Sequence, residues 1–227
     1  MLKLNALITH TLFSFLLFLI PVVSSTSDNL SLLFHVYRDQ SKIGIHEIAI
    51  TDKNSFTEVN IEIKFNINFL GFNIYKYTHN NIEKWSGNKL LSLDSKTDQN
   101  GTIMTCTLKE KDGKLDISGT NNTTSLNNSV LPSSYWNSIL VKGNKRLDIL
   151  NTQDCSFISL NIKFLGNEKI YNSELSADHF KLKGFEAGGS EVDIDLWYDE
   201  SDNWVKMKFI KDESTIDYVL NKYDNAK

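Results

Sequence analysis

From Glu58 to Phe69 the chain alternates without a break: Val59, Ile61, Ile63, Phe65, Ile67 and Phe69 are apolar, while Glu58, Asn60, Glu62, Lys64, Asn66 and Asn68 are polar. A period of two puts all six apolar side chains on one face of an extended chain, which a helix of 3.6 residues per turn cannot do. At about 3.4 Å per residue the run spans roughly 40 Å, twice an ordinary strand. A strand of that length favours a coiled sheet over a flat one. The spacing therefore predicts a strongly curved sheet or partly closed barrel, wrapped around its apolar face.

The same period returns at Ile158, Leu160, Ile162 and Phe164, at Val192, Ile194, Leu196 and Tyr198, and at Val205, Met207 and Phe209. Shorter candidate strands run over 32–38, 43–51, 75–79, 89–94, 102–109, 114–118, 179–183 and 216–220. They sit beside turn signals such as Asp52-Lys53-Asn54, Ser86-Gly87-Asn88, Asn100-Gly101 and Asp112-Gly113. Gly184, Gly188 and Gly189 read as further turn residues. Only five Ala disfavour long helices. The expected fold is all-β, a single domain of long antiparallel strands over 26–227. Two stretches depart from the pattern: residues 118–130 read as an exposed polar loop, and Ser133 or Ser134 as the cap of a short helix near 133–141.

Residues 1–25 have the grammar of a signal peptide: Lys3, an apolar run of 12 residues from Leu12 to Val23, and small residues at Ser24 and Ser25. That run is well short of the roughly 20 residues that span a bilayer. Cleavage near Ser24 or Ser25 takes 25 of the 227 residues and leaves 202, an exported chain, periplasmic or secreted, with no membrane-spanning segment. Cys106 and Cys155 survive cleavage and can pair in an oxidising compartment; two buried thiols are the alternative reading. The net charge of −4 excludes an electrostatic footprint for nucleic acid. With 22 Lys against two Arg, the usual bidentate anion clamp is also missing. His35, His46, His79 and His179 lack clustered metal spacing, and no cofactor motif is present, so neither metal nor cofactor is expected.

In Tyr77-Thr-His79-Asn-Asn-Ile-Glu83-Lys-Trp85, a hairpin at Asn80-Asn81 would place His79 and Glu83 on neighbouring strands, where they could form an acid–base pair or a plain cross-strand contact. Trp197 falls by alternation among Asp193, Asp195 and Asp199, and an aromatic ring beside carboxylates suits a ligand of mixed character.

The ordered set Gly44, Tyr77-x-His79, Glu83-x-Trp85-x-x-Gly87-x-x-Leu90, Asn100-Gly101, Ser134-Tyr135-Trp136-Asn137, Leu196-Trp197-Tyr198-Asp199 and Trp204-Val205-Lys206 resembles a family of uncharacterised exported bacterial β-rich proteins, a domain of unknown function. The resemblance spans most of the chain beyond residue 25. More remotely the chain is similar to curved-sheet envelope proteins that hold lipid or acyl chains, a likeness of fold.

The leading expectation is a binding protein that holds an apolar or amphipathic small molecule, such as a lipid, with Tyr77, Trp85, Trp136, Trp197 and Asp199 lining or gating the mouth. One alternative is a hydrolase using His79 with Glu83, or Asp195 with Asp199. The other is a non-catalytic envelope interaction protein.

Overall fold

The computed structural model describes residues 29–69 and 72–226, so the leader expected over 1–25 lies outside the described residues. Among the described residues fifteen strands make one sheet: β1 (Leu30–Arg38), β2 (Ser41–Asp52), β3 (Thr57–Phe69), β4 (Phe72–Ser86), β5 (Lys89–Gln99), β6 (Thr102–Lys111), β7 (Lys114–Gly119), β8 (Thr123–Leu126), β9 (Leu131–Pro132), β10 (Arg146–Leu150), β11 (Phe157–Ile170), β12 (Leu175–Glu186), β13 (Glu191–Asp199), β14 (Trp204–Lys211) and β15 (Ser214–Leu220). The spatial order is β8-β7-β6-β5-β4-β3-β2-β1-β15-β14-β13-β12-β11-β10-β9. Read as a ring this is the sequence order, a meander whose seam falls between β8 and β9. Every pairing is antiparallel except the short parallel contact of β9 with β10.

The long alternating run is β3, with Val59, Ile61, Ile63, Phe65 and Ile67 inward. It pairs with β2 from Gly44 opposite Phe65 to Asp52 opposite Thr57, and with β4 along its whole length. At two glycines the neighbouring strands leave no room for a side chain. A Cβ on Gly44 would lie 1.9 Å from the Lys64 carbonyl oxygen, and one on Gly184 1.8 Å from that of Ser159. Gly184 thus lies inside β12 rather than in a turn, because only hydrogen fits between β12 and β11 there. The turns at Asn100-Gly101 and Asp112-Gly113 take positive φ at both residues, the geometry that matches strand twist.

No ladder joins β8 to β9. Instead the trailing edge of the sheet is rolled inside the leading edge. The loop between β10 and β11 lies on the inner faces of β5 and β6, held by the Cys106–Cys155 disulfide, by Ser95 Oγ donating to the Thr152 carbonyl, and by Asn121 Nδ2 donating to Asp154 Oδ2 at 2.6 Å. The two cysteines are therefore bonded, across 49 positions of sequence, rather than buried as thiols.

Both departures from the strand pattern need correction. The expected loop at 118–130 contains the end of β7 and all of β8, with Asn121 and Asn122 bonded across the seam. The expected helix near 133–141 is a single 3-10 turn over Ser138–Leu140, capped by Asn137 rather than by Ser133 or Ser134. Pro132 is committed to β9 and Tyr135 takes φ 61°, so a helix cannot start between them. Among the described residues no helix is long and apolar enough to cross a membrane.

Candidate functional site

On β4 the usual rule is inverted. Tyr77, His79, Asn81, Glu83 and Trp85 all face inward and are buried, while Ile82 is left in solvent. Register explains this. His79 lies opposite Ile63, Asn81 opposite Ile61 and Glu83 opposite Val59, the apolar face of β3. A slip of one residue would bury Ile82 but would break the match with β3, whose apolar face must stay inside. Asn80 and Asn81 are paired on both sides, so they form no hairpin; β4 runs unbroken through them. His79 and Glu83 are consequently on one strand and one face, not on two strands as the sequence suggested.

The buried groups sort into two hydrogen-bonded sets. Glu83 is completely buried, with no cation beside it among the described residues; its Oε1 accepts from Asn81 Nδ2 at 2.8 Å, and its Oε2 accepts from the indole N–H groups of Trp85 at 2.8 Å and Trp136 at 2.9 Å. Burial pushes the Glu83 carboxyl above its ordinary value, and the side-chain hydrogen bonds from Trp136, Trp85, Ser134 and Asn81 oppose that rise only in part. His79 makes the second set: Nδ1 lies 2.8 Å from the Thr97 hydroxyl on β5, and Nε2 lies 3.4 Å from the Thr152 hydroxyl in the rolled-in loop. Desolvation lowers its pKa to about 4. The sequence reading missed Asn81, Ser95, Thr97 and Thr152. Asn81 shares parity with His79 and Glu83, a signal that was available; Thr152 is brought in only by the roll of the sheet.

It also missed His46. That imidazole lies two strands from His79, across Ile63, and is ringed by Phe34, Trp204 and Tyr218 at centroid distances of 6.2, 5.2 and 5.8 Å. Neither of its nitrogens has a hydrogen-bond partner, and burial, with His79 nearby, lowers its pKa to about 3. Parity with Ile48 and Ile50 placed it on the inner face.

Tyr77, Trp85 and Trp136 do not line a mouth. Tyr77 stacks on Phe65, and the two indoles meet edge to face at 5.4 Å while sharing Glu83. The pocket between Trp85 and the 131–140 segment measures about 10 Å³, the room of one water. Trp197 and Asp199 are elsewhere. Trp197 does lie on the outer face, but His179 stacks on it at 4.2 Å, Glu168 accepts its N–H and the Lys206 ammonium covers it. Asp199 caps the β13–β14 turn, accepting from the backbone N–H groups of Ser201 and Asn203. Asp195 faces His179 at 2.8 Å and Lys181 at 2.9 Å, so it forms no pair with Asp199.

The chemistry open to this arrangement is limited. The Thr152 hydroxyl touches an imidazole as a nucleophile touches its base. The far nitrogen of that imidazole, however, is held by a hydroxyl and not by a carboxylate. A base that titrates near pH 4 is also a weak proton acceptor at neutral pH. Among the described residues no three His, Cys, Asp or Glu side chains converge as a metal ligand set.

The profile of a family described as a domain of unknown function, DUF6134, matches residues 34–221. Comparison with curated proteins finds no match. Among solved structures the chain is similar to a β-barrel-like protein of domain of unknown function DUF1849 from Brucella abortus, with a TM-score of 0.62 and 10% identity over 84% of this chain and 94% of that one. At that identity the likeness concerns the fold.

Proposed function

Because the chain belongs to the DUF6134 family, whose function is unknown, we propose its function from its own geometry: a non-catalytic module of an exported compartment that acts through its outer surface. The observation that carries this reading is what occupies the inside. Where a curved sheet could hold a ligand, this chain holds its own 131–156 segment, and Trp136 and Thr152 from that segment engage Glu83 and His79. Those polar groups are spent on each other, and the space left beside Trp85 admits no lipid. Large apolar side chains meanwhile stand in solvent, among them Phe72 at 75%, Phe185 at 61% and Ile210 at 62%.

Native mass spectrometry of the chain from Thr26 onward, purified from its own envelope, tests the reading. The expected mass is that of the bare, disulfide-bonded polypeptide. A lipid or other small molecule released only on denaturation would refute it. So would a hydrolytic activity that disappears in His79→Gln while the melting temperature is kept.

A further inference from the structure

We propose that the free edge of β11 takes up an extended, acidic segment of a protein partner as an added strand; this rests on the reading of the molecule as one that works from its outside. β10 covers only part of β11. Their ladder ends where Arg146 faces Asn161, and the last backbone bond across it runs from the Ile162 N–H to the Lys145 carbonyl at 2.9 Å. From Lys163 to Ile170, β11 keeps β12 on one side and, among the described residues, has no strand on the other. Residues 163–169 are exposed, Gly166 alone being half-buried, so the slot beside them is open to solvent.

An open edge is a template for pairing. Backbone groups of alternate residues point to the same side of a strand, so the Phe164 N–H, two residues on from that of Ile162, points off the edge. Every second residue beyond the bulge at Leu165 does the same. At about 3.3 Å per residue the slot is roughly 25 Å long, room for a strand of ordinary length. Beside it Phe164 and Leu165 are 55% and 46% exposed, apolar surface that the side chains of a neighbouring strand would cover.

Charge selects the occupant. Lys145, Arg146, Lys163 and Lys169 border the slot, all exposed and none in an ion pair among the described residues. The acids nearby are engaged: Glu168 accepts the Trp197 N–H and lies 3.4 Å from His179, and Asp178 accepts from Asn167 Nδ2 at 3.0 Å. Opposite charges across a strand pair stabilise it and like charges destabilise it. Edge lysines and a bulge also keep an edge from pairing indiscriminately. Here they turn away a neutral or basic strand and leave the slot to one that brings carboxylates. A second copy is disfavoured on the same ground, because two β11 edges paired about a two-fold axis run antiparallel and bring Lys163 of each toward Lys169 of the other.

The test is fluorescence anisotropy of labelled peptides titrated with the chain from Thr26 onward. The probes are an alternating glutamate–valine heptapeptide and its lysine–valine counterpart. The acidic peptide is expected to bind at least about tenfold tighter than the basic one, K163E/K169E to reverse that order, and the control K96E/K109E to keep it. Amide exchange followed by NMR separates strand addition from charge attraction alone: saturating acidic peptide should slow exchange of the Phe164 amide at least about tenfold. Binding of neither peptide below about 1 mM, equal binding of the two, an unchanged order in K163E/K169E, or unaltered exchange at Phe164 each overturns the proposal. So does a dimer of the unaltered chain whose formation protects the Phe164 amide, which would put a second copy on the edge. The reading of the interior falls separately, to a ligand released in native mass spectrometry, so a ligand-free chain that binds neither peptide refutes the edge assignment alone.

Discussion

Acid should weaken this fold earlier than its surface charges would suggest, because His46 and His79 are held neutral in its interior. Their pKa values fall to about 3 and about 4, against 6.5 for an exposed imidazole. The sign follows from proton binding. Between those values and 6.5 the unfolded chain takes up protons that the folded one refuses, so stability is fully present above about pH 6.5 and declines as pH falls toward 4 and 3. At pH 5 each imidazole contributes about 2 kcal/mol of destabilisation, a figure set almost entirely by the unfolded pKa. Together they remove about 4 kcal/mol between pH 7.5 and pH 5, a large part of the 5–15 kcal/mol typical of a domain. Urea unfolding at pH 7.5, 6.5, 5.5 and 5.0 measures this directly. His46→Leu isolates one half, since the site is a cage of Phe34, Trp204 and Tyr218 in which both imidazole nitrogens lack partners. The variant should match or exceed the parent at pH 7.5 and lose about 2 kcal/mol less on acidification. An unchanged pH dependence in His46→Leu would show that the imidazole is not buried as described.

Reducing the Cys106–Cys155 bond, or replacing both cysteines by serine, should lower unfolding free energy by about 4 kcal/mol in the chain-entropy picture for a separation of 49 residues, read from denaturant midpoints with and without reductant. Glu83→Gln should be nearly neutral at pH 7: the amide oxygen can take both indole N–H groups, and Asn81 can turn its unpartnered Oδ1 toward the new N–H. Glu83→Ala strands the N–H donors of Asn81, Trp85 and Trp136 and should destabilise by about 4 kcal/mol or more, so the gap between the two melting curves tests the network. Gly44→Ala forces a methyl group against the Lys64 carbonyl and should sharply lower the melting temperature, whereas Gly188→Ala, with open space around it, should not.

Much of the candidate site was legible because parity is local. Tyr77, His79, Glu83 and Trp85 hold one parity and share a face of one strand, a pattern in plain view that the expected hairpin concealed. The same rule marks His46 beside Ile48 and Ile50, although the sequence reading did not apply it there. The hairpin expected at Asn80-Asn81 failed because turn propensity is weak against two full ladders; with Ile61 and Ser95 opposite Asn81, continuing the strand satisfies the backbone on both sides. Trp197 was assigned correctly to the face of the aspartates, yet its neighbours were out of reach of the sequence. His179 and Lys206 belong to the strands on either side of it, and they convert an apparently open ring into a covered one.

The sequence by itself determined that long strands dominate, that their sheet curves and which neighbours along an unbroken run share a face, because a period of two acts between neighbours and a long amphipathic strand must wrap its apolar side. Tertiary structure alone decided what lies inside that wrap. Whether a curved sheet encloses a ligand or its own edge depends on where residues 131–156 travel. That path is fixed by contacts between positions far apart in the chain: Cys106 with Cys155, Ser95 with Thr152, Glu83 with Trp136. No local pattern encodes such contacts, since each joins positions about fifty residues apart that only the pairing of the strands between them brings together.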